Sequence, residues 1–207
     1  MNNIKDWPTL IKQGHHIIGL EMCPVDRMEI FDFFSHQAQL LNLPCFYWNH
    51  GYSFWQQLEL SELSTSNHQN SFPLTIKPSN LSTDSLTESN ILNYFFNHNC
   101  SNCSSQSNSI LPVHSGIYLI DDFLFNDNHN DVNFRHKEAQ IQNLLLDFNI
   151  APCSIYLVFL GNVIQFSERL AAEIPVLNFP LPSSQQVHTI IHPHPSFLQF
   201  NYQQNTH

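Results

Sequence analysis

Glycine is scarce in this sequence. The 207 residues hold only five, Gly14, Gly19, Gly51, Gly116 and Gly161, well below the ~7% usual in proteins. No G-x-G-x-x-G can be written with them, which excludes a dinucleotide-binding fingerprint, and the D-x-D-x-D-G calcium loop is missing too. Basic charge is the next shortage. Seven Lys and Arg face 17 Asp and Glu, for a net charge of −10, so the clustered cations that grip a nucleic-acid backbone are absent. Long apolar runs are also lacking. The longest strongly apolar run is Ile155 to Leu160, against the ~20 residues of a membrane helix. The opening segment, MNNIKDWPTLIKQGHH, has no apolar h-region and no small-residue cleavage site, so no secretory signal is expected. The cysteines, Cys23, Cys45, Cys100, Cys103 and Cys153, are odd in number and dispersed. They point to reduced thiols rather than a disulfide framework.

What is present is apolar and aromatic. Apolar residues make up 42% of the chain and Phe occurs 17 times, enough to build one sizeable core. The 23 Asn and 21 Ser fit an AT-rich coding source.

Along the chain, short apolar strands alternate with helical periodicity. His15–Glu21 reads as a first buried strand, ended by Cys23-Pro24. Val25, Met28, Phe31, Phe34, Ala38 and Leu41 recur at spacings of three and four, which predicts a helix with these residues on one face, stopped by Pro44. Cys45–Trp48 is a second strand before the turn Asn49-His50-Gly51. The Ser/Asn-rich stretch 61–84 reads as a poorly packed loop or insertion. Ser85 and Glu88 match a capping box, so 86–98 is expected to be helical. A polar loop follows, around 99–112. Gly116–Asp122 is the strongest strand signal. Phe134–Phe148 is helical, with Phe134, Ile141, Leu144, Leu145 and Phe148 on one face. Ser154–Leu160 is a fully buried strand, Glu168–Glu173 a short helix capped by Ser167, and Pro175–Phe179 a fifth strand. A last short helix from Ser183 or Ser184 to Ile191 precedes a His/Pro/Gln tail. One domain is thus expected over 1–192, with 193–207 a disordered tail. Continuous apolar strands alternating with helices imply a parallel sheet covered on both faces. Ligands of such sheets sit beyond the carboxyl ends of the strands.

The chemistry-bearing patterns are each incomplete. Gly14 and Gly19 have the glycine spacing of a phosphate loop, but Leu20-Glu21 stand where Lys and Ser/Thr are required. The first strand-to-helix connection, Met22–Val25, has no glycine and contains Pro24, which lacks an N–H donor. Glu21 and Asp26 beside it would repel phosphate. Ile117–Ile120 followed by Asp121 and Asp122 looks like a Walker B strand, whose Asp would hold Mg²⁺ through water. The alternative is a pair of strand-end carboxylates, one capping the next turn. His98, Cys100 and Cys103 form H-x-C-x-x-C without a second C-x-x-C, so thiols in a polar loop compete with a zinc site, which needs four ligands. His188, His192, His194 and His207 could chelate metal in vitro, with a disordered tail the competing reading; no metal or cofactor is expected. Cys23 precedes a helix start, a position that favours thiolate, yet Glu21 and Asp26 oppose it. Trp48, Tyr52, Phe54 and Trp55 cluster after the second strand, either as core or as interface anchors.

Three stretches together resemble a known family: Ile17–Glu21 through Asp26-Arg27 to Pro44–Gly51, then Gly116–Phe123, then Glu173–Pro182 with its Phe-Pro-Leu-Pro. It is the AAA-type ATPase family of cyanobacteria and red-lineage plastids called, in words, hypothetical chloroplast open reading frame forty-six. The resemblance is to its N-terminal degenerate ATPase-like domain and covers about residues 10–192, with the loops between 61 and 110 unmatched. It implies an α/β three-layer sandwich whose five-stranded parallel sheet has the order 5-1-4-3-2 of P-loop ATPases, without the P-loop. It further implies a non-catalytic adaptor or regulator that binds a protein, such as an AAA ATPase or a photosynthetic assembly, in a plastid stroma or cyanobacterial cytoplasm. Two alternatives stand beside it: a thiol-dependent enzyme using Cys23 with Asp121 or Asp122, and the front part of a longer ATPase.

Overall fold

The computed structural model describes residues 2–60, 74–79, 81, 85–96, 115–121, 123, 132–150 and 154–179. The elements are β1 (Asn2–Asn3), α1 (Trp7–Lys12), β2 (Ile17–Glu21), α2 (Arg27–Leu41), β3 (Cys45–Trp48), β4 (Gln56–Leu60), β5 (Leu74–Pro78), α3 (Asn93–Phe96), β6 (Gly116–Asp121), α4 (Val132–Ile150), β7 (Ile155–Gly161), α5 (Glu168–Ala171) and β8 (Val176–Asn178).

They form one mixed sheet in the order β1-β8-β2-β7-β6-β3-β4-β5. This corrects the expected five-stranded, all-parallel sheet. Within it, β8-β2-β7-β6-β3 run parallel and are the strands read from the sequence, in the order 5-1-4-3-2. The two-residue β1 adds to β8 in parallel, while β4 and β5 extend the other side antiparallel. The reason lies in Gln56–Leu60. The turn at Asn49–Gly51 sends the chain back along β3, and Leu58 is buried while Gln57 and Glu59 are half-exposed. That alternation is the signature of a strand with one buried face. β5 lies inside the stretch 61–84 expected to be loop, and pairs with β4 from Gln56↔Pro78 to Leu60↔Leu74.

The pleat of each central strand feeds two cores. Phe46, Trp48, Tyr118, Ile120, Leu157 and Phe159 point to the side covered by α3, α4 and α5. Cys45, Tyr47, Ile117, Leu119, Val158 and Leu160 point to the side of α1 and α2. Successive side chains alternate across a strand, so strands buried on both faces are apolar at every position, which is why they read as unbroken runs. On the second side Trp7 is fully buried and meets Phe34 edge-on at 5.0 Å. Burial of each such ring is worth roughly 1.5–3 kcal/mol.

The helices depart from expectation in informative ways. The buried face of α2 is Ile30, Phe31, Phe34, Ser35 and Ala38, whereas Val25, Met28 and Leu41, expected inside, are exposed. Pro24–Asp26 is a 3₁₀ turn, and its tighter winding takes Val25 out of phase with the helix that follows. The stop comes at Asn42, in the left-handed conformation with φ 54, before Pro44. Of the expected helix 86–98, Asn93–Phe96 is helical and Thr87 begins no helix but is followed by turns at 88–92, while 97 and 98 lie outside the described residues. His15 donates its N–H to Leu10 O and closes α1, so β2 begins at Ile17. The loop at 99–112, the final short helix and the tail lie outside the described residues. No described helix is long and apolar enough to cross a membrane.

Candidate functional site

The carboxyl ends of the parallel strands place Glu21, Trp48, Asp121, Gly161 and Asn178 along one edge of the sheet. The connection after β2 is short. Met22 N–H continues the ladder to Gly161 O at 2.9 Å, Cys23 is exposed, and Arg27 opens α2. Arg27 turns back across the edge, and its guanidinium sits 2.7 Å from Asp121 Oδ2. The Tyr47 hydroxyl donates to the same oxygen at 3.0 Å. Asn49 Nδ2 donates to the Tyr47 oxygen at 2.8 Å, and Gly51 N–H donates to Asn49 Oδ1 at 2.9 Å. Asp121 is almost wholly buried and Arg27 about a third exposed. Burial, then the neighbouring Asp121 charge, pushes the Tyr47 phenol far above its ordinary range, so it stays a donor.

This arrangement decides what Asp121 can do. In a phosphate-handling sheet, the basic residue at the start of the helix after the first strand reaches phosphate, and the acid at the end of a neighbouring strand serves Mg²⁺. Here the acid at the end of β6 is instead paired with Arg27, the base that opens α2. Asp122 lies outside the described residues.

The glycines with phosphate-loop spacing have other work. Gly14 ends α1 with φ +90, and a side chain there would be strained. Gly19 lies mid-strand, where an added Cβ would meet Phe166 Cε2 at 3.1 Å and Ile164 Cδ1 at 3.3 Å. The β7–α5 connection folds over this spot, and Glu21 Oε1 accepts the Ile164 N–H at 3.1 Å. Glu21 therefore serves as an anchor.

The aromatic cluster divides. Trp48 and Trp55 are fully buried and take the core alternative, while Tyr52 and Phe54 are 37% and 39% exposed. Trp55 packs edge-on against Tyr118 at 5.0 Å. The antiparallel pairing of β3 with β4 draws it under the sheet beside α3. Tyr52 rests its ring against Tyr47 at 6.0 Å.

A second polar group flanks the same edge on the α4 side. Glu88 pairs with Lys137 and lies 3.6 Å from His50 Nε2, and Lys137 stands 5.2 Å over the Phe123 ring. The capping-box reading of Glu88 fails because its carboxylate is drawn to this cation. Asn90 takes over locally, accepting from Thr87 N–H at 2.6 Å. At the opposite edge, a cavity of about 240 Å³ borders Gly14, His16, Phe148 and Glu173. His16 there is packed flat on Tyr156, with Nδ1 2.9 Å from Ile155 O.

Sequence reading missed Arg27, Tyr47 and Asn49 as site residues. One signal was available: Arg27 is the only base between Lys12 and Lys77, and it stands at a helix start. Cys23 is placed on the edge as expected, but Glu21 and Asp121 are both engaged elsewhere. His98, Cys100, Cys103, His188, His192, His194 and His207 lie outside the described residues. Among the described residues, no group of three or more His, Cys, Asp or Glu is arranged to hold a metal ion. Comparison with models of known protein families, with curated proteins and with solved structures finds no match.

Proposed function

We propose that this chain is a non-catalytic, AAA-like α/β domain that acts by binding another protein, as an adaptor or regulator. The observation that carries this reading is the Arg27–Asp121 ion pair with its Tyr47 hydrogen bond. An acid neutralised by a guanidinium and a phenol is not offered to hydrated Mg²⁺. The connection after β2 offers no glycine-rich curl of N–H groups to phosphate. The parallel strand order supports the likeness to an ATPase sheet. In this reading the partner is an AAA ATPase or a photosynthetic assembly, and the setting is a plastid stroma or cyanobacterial cytoplasm.

Calorimetry with ATP and Mg²⁺ tests it. No heat and no phosphate release are expected. Micromolar binding, or turnover lost in a folded Asp121→Asn variant, overturns the reading.

A thiol-dependent enzyme is the second reading, favoured by the exposure of Cys23 at the sheet edge. It requires a base that neither Glu21 nor Asp121 supplies in the observed geometry.

A further inference from the structure

The outer face of α2 carries a stripe that nothing in the described structure covers. Val25 is 87% exposed, Met28 56% and Leu40 80%. Between them Glu29 is exposed and Asp32 half-exposed. Met28, Glu29, Asp32 and Leu40 fall within about a third of the circumference of α2, opposite Ile30, Phe31, Phe34 and Ala38, and Val25 stands exposed in the 3₁₀ turn that leads into the helix. The base in α2, Arg27, is turned inward to Asp121. Its charge is thereby balanced by Asp121, and Asp26 and Glu29 pair with no cation among the described residues. His36 lies 4.0 Å from Asp32 and is the only other ionisable group on this helix. The result is an acidic strip with apolar contacts at both ends.

We infer that this stripe is the docking surface for a basic amphipathic helix of a partner protein, an inference that rests on the protein-binding reading above. Charge complementarity selects the occupant: Lys or Arg side chains opposite Asp26, Glu29 and Asp32, and apolar side chains against Val25, Met28 and Leu40. The stripe runs about 22 Å at 1.5 Å per residue, so it matches roughly four turns of partner helix. Helix recognition through apolar anchors at three- and four-residue spacing is a recurrent mode. Charged contacts at such a face govern the on-rate and salt dependence.

The test uses the full chain labelled with ¹⁵N and a synthetic helical peptide of about 18 residues, with Leu on one face and Lys elsewhere. A Glu-for-Lys version is the control. The expected result is shifts confined to Val25–Leu40, weakened by salt. Glu29→Lys/Asp32→Lys should lose about tenfold or more in affinity. Glu168→Lys/Glu173→Lys, which changes net charge equally on the opposite face, should lose less than about twofold. A Val25→Ser/Met28→Ser variant should weaken binding without altering the salt slope. Equal losses in both charge-reversal pairs would overturn the inference, as would equal binding of the acidic peptide or a footprint away from α2. Shifts of the same resonances with protein concentration alone would overturn it in favour of a second copy. The same samples are titrated with ATP and Mg²⁺. ATP turnover defeats the non-catalytic reading, whereas a missing footprint with ATP silent defeats the docking surface alone.

Discussion

Arg27 and Asp121, far apart in the chain, meet at 2.7 Å and tie the start of α2 to the end of β6. The pair closes the edge of the sheet at which ligands of parallel α/β sheets bind. Its cost and benefit are unequal. Arg27 Nε is buried without a hydrogen-bond partner, so the base is imperfectly satisfied even with its counter-ion present. Removing the counter-ion leaves a half-buried cation with no compensation.

The first prediction follows from that imbalance. Asp121→Asn should destabilise the fold by roughly 2–4 kcal/mol, less than the full cost of breaking a wholly buried pair because Arg27 keeps some water. Arg27→Met should cost a similar amount. The double variant Arg27→Met/Asp121→Asn should recover most of the loss. Urea denaturation of the four proteins reads the cycle, and a coupling below about 0.5 kcal/mol would show the pair to be ornamental.

Gly19→Ala should cost about 1–3 kcal/mol by overpacking, since the new methyl would lie 3.1 Å from Phe166 and 3.3 Å from Ile164. Trimming the neighbour by Ile164→Val should return part of it. If Gly19→Ala were neutral in thermal melts, the β7–α5 connection would have to be looser than its contacts with β2 indicate.

Alkaline pH should unfold the protein early. Burial, the largest cause in each case, raises the phenols of Tyr47, Tyr94 and Tyr118 and the thiol of Cys45 above their ordinary values. In the unfolded chain these groups lose protons near 9.0 and 10.0, while the folded state holds them. The unfolded state is therefore favoured as pH rises. The contribution is intact below about pH 9 and declines above it. Tyrosinate absorbance should show the buried phenols of the six tyrosines ionising only together with loss of the circular dichroism signal. Smooth titration of all six without unfolding would contradict the burial.

Cys23 and Cys45 should separate cleanly in alkylation. Iodoacetamide at neutral pH should label the exposed Cys23 and spare the buried Cys45 until denaturant is added, with mass spectrometry of peptides identifying each site. A Cys23 rate close to that of free cysteine speaks against the thiol-enzyme reading. A rate about a hundredfold faster would support a catalytic thiolate.

Particular residues show how far sequence alone reached. Cys45–Trp48 was readable to the residue because Pro44 and Asn49-His50-Gly51 bracket a short aromatic run. The strands of the parallel core were readable for the same reason, since burial on both faces leaves an unbroken apolar run. β5 was hidden because Leu74–Pro78 is edge strand, with Ile76, Lys77 and Pro78 exposed, and a half-buried edge lacks that run. α3 was overextended because Glu88 satisfies a long-range cation instead of the local helix end. The candidate site was half visible. Asp121 announced itself at the end of its strand, but its partner is fixed by the β2–β7–β6 neighbourhood, which is a property of topology and not of any local window. The division of Trp48 and Trp55 from Tyr52 and Phe54 likewise depends on the unforeseen β4.

The position of β2 has a consequence for synthesis. Its pairing partners are β7 and β8, with Gly19 opposite both Phe159 and Val176. As the chain leaves the ribosome, neither neighbour of β2 exists until more than a hundred further residues have been added. At typical elongation rates that interval lasts roughly 7–28 s. During it Ile17, Ile18 and Leu20 have no strand beside them, and wrong pairing or capture by a chaperone would begin there.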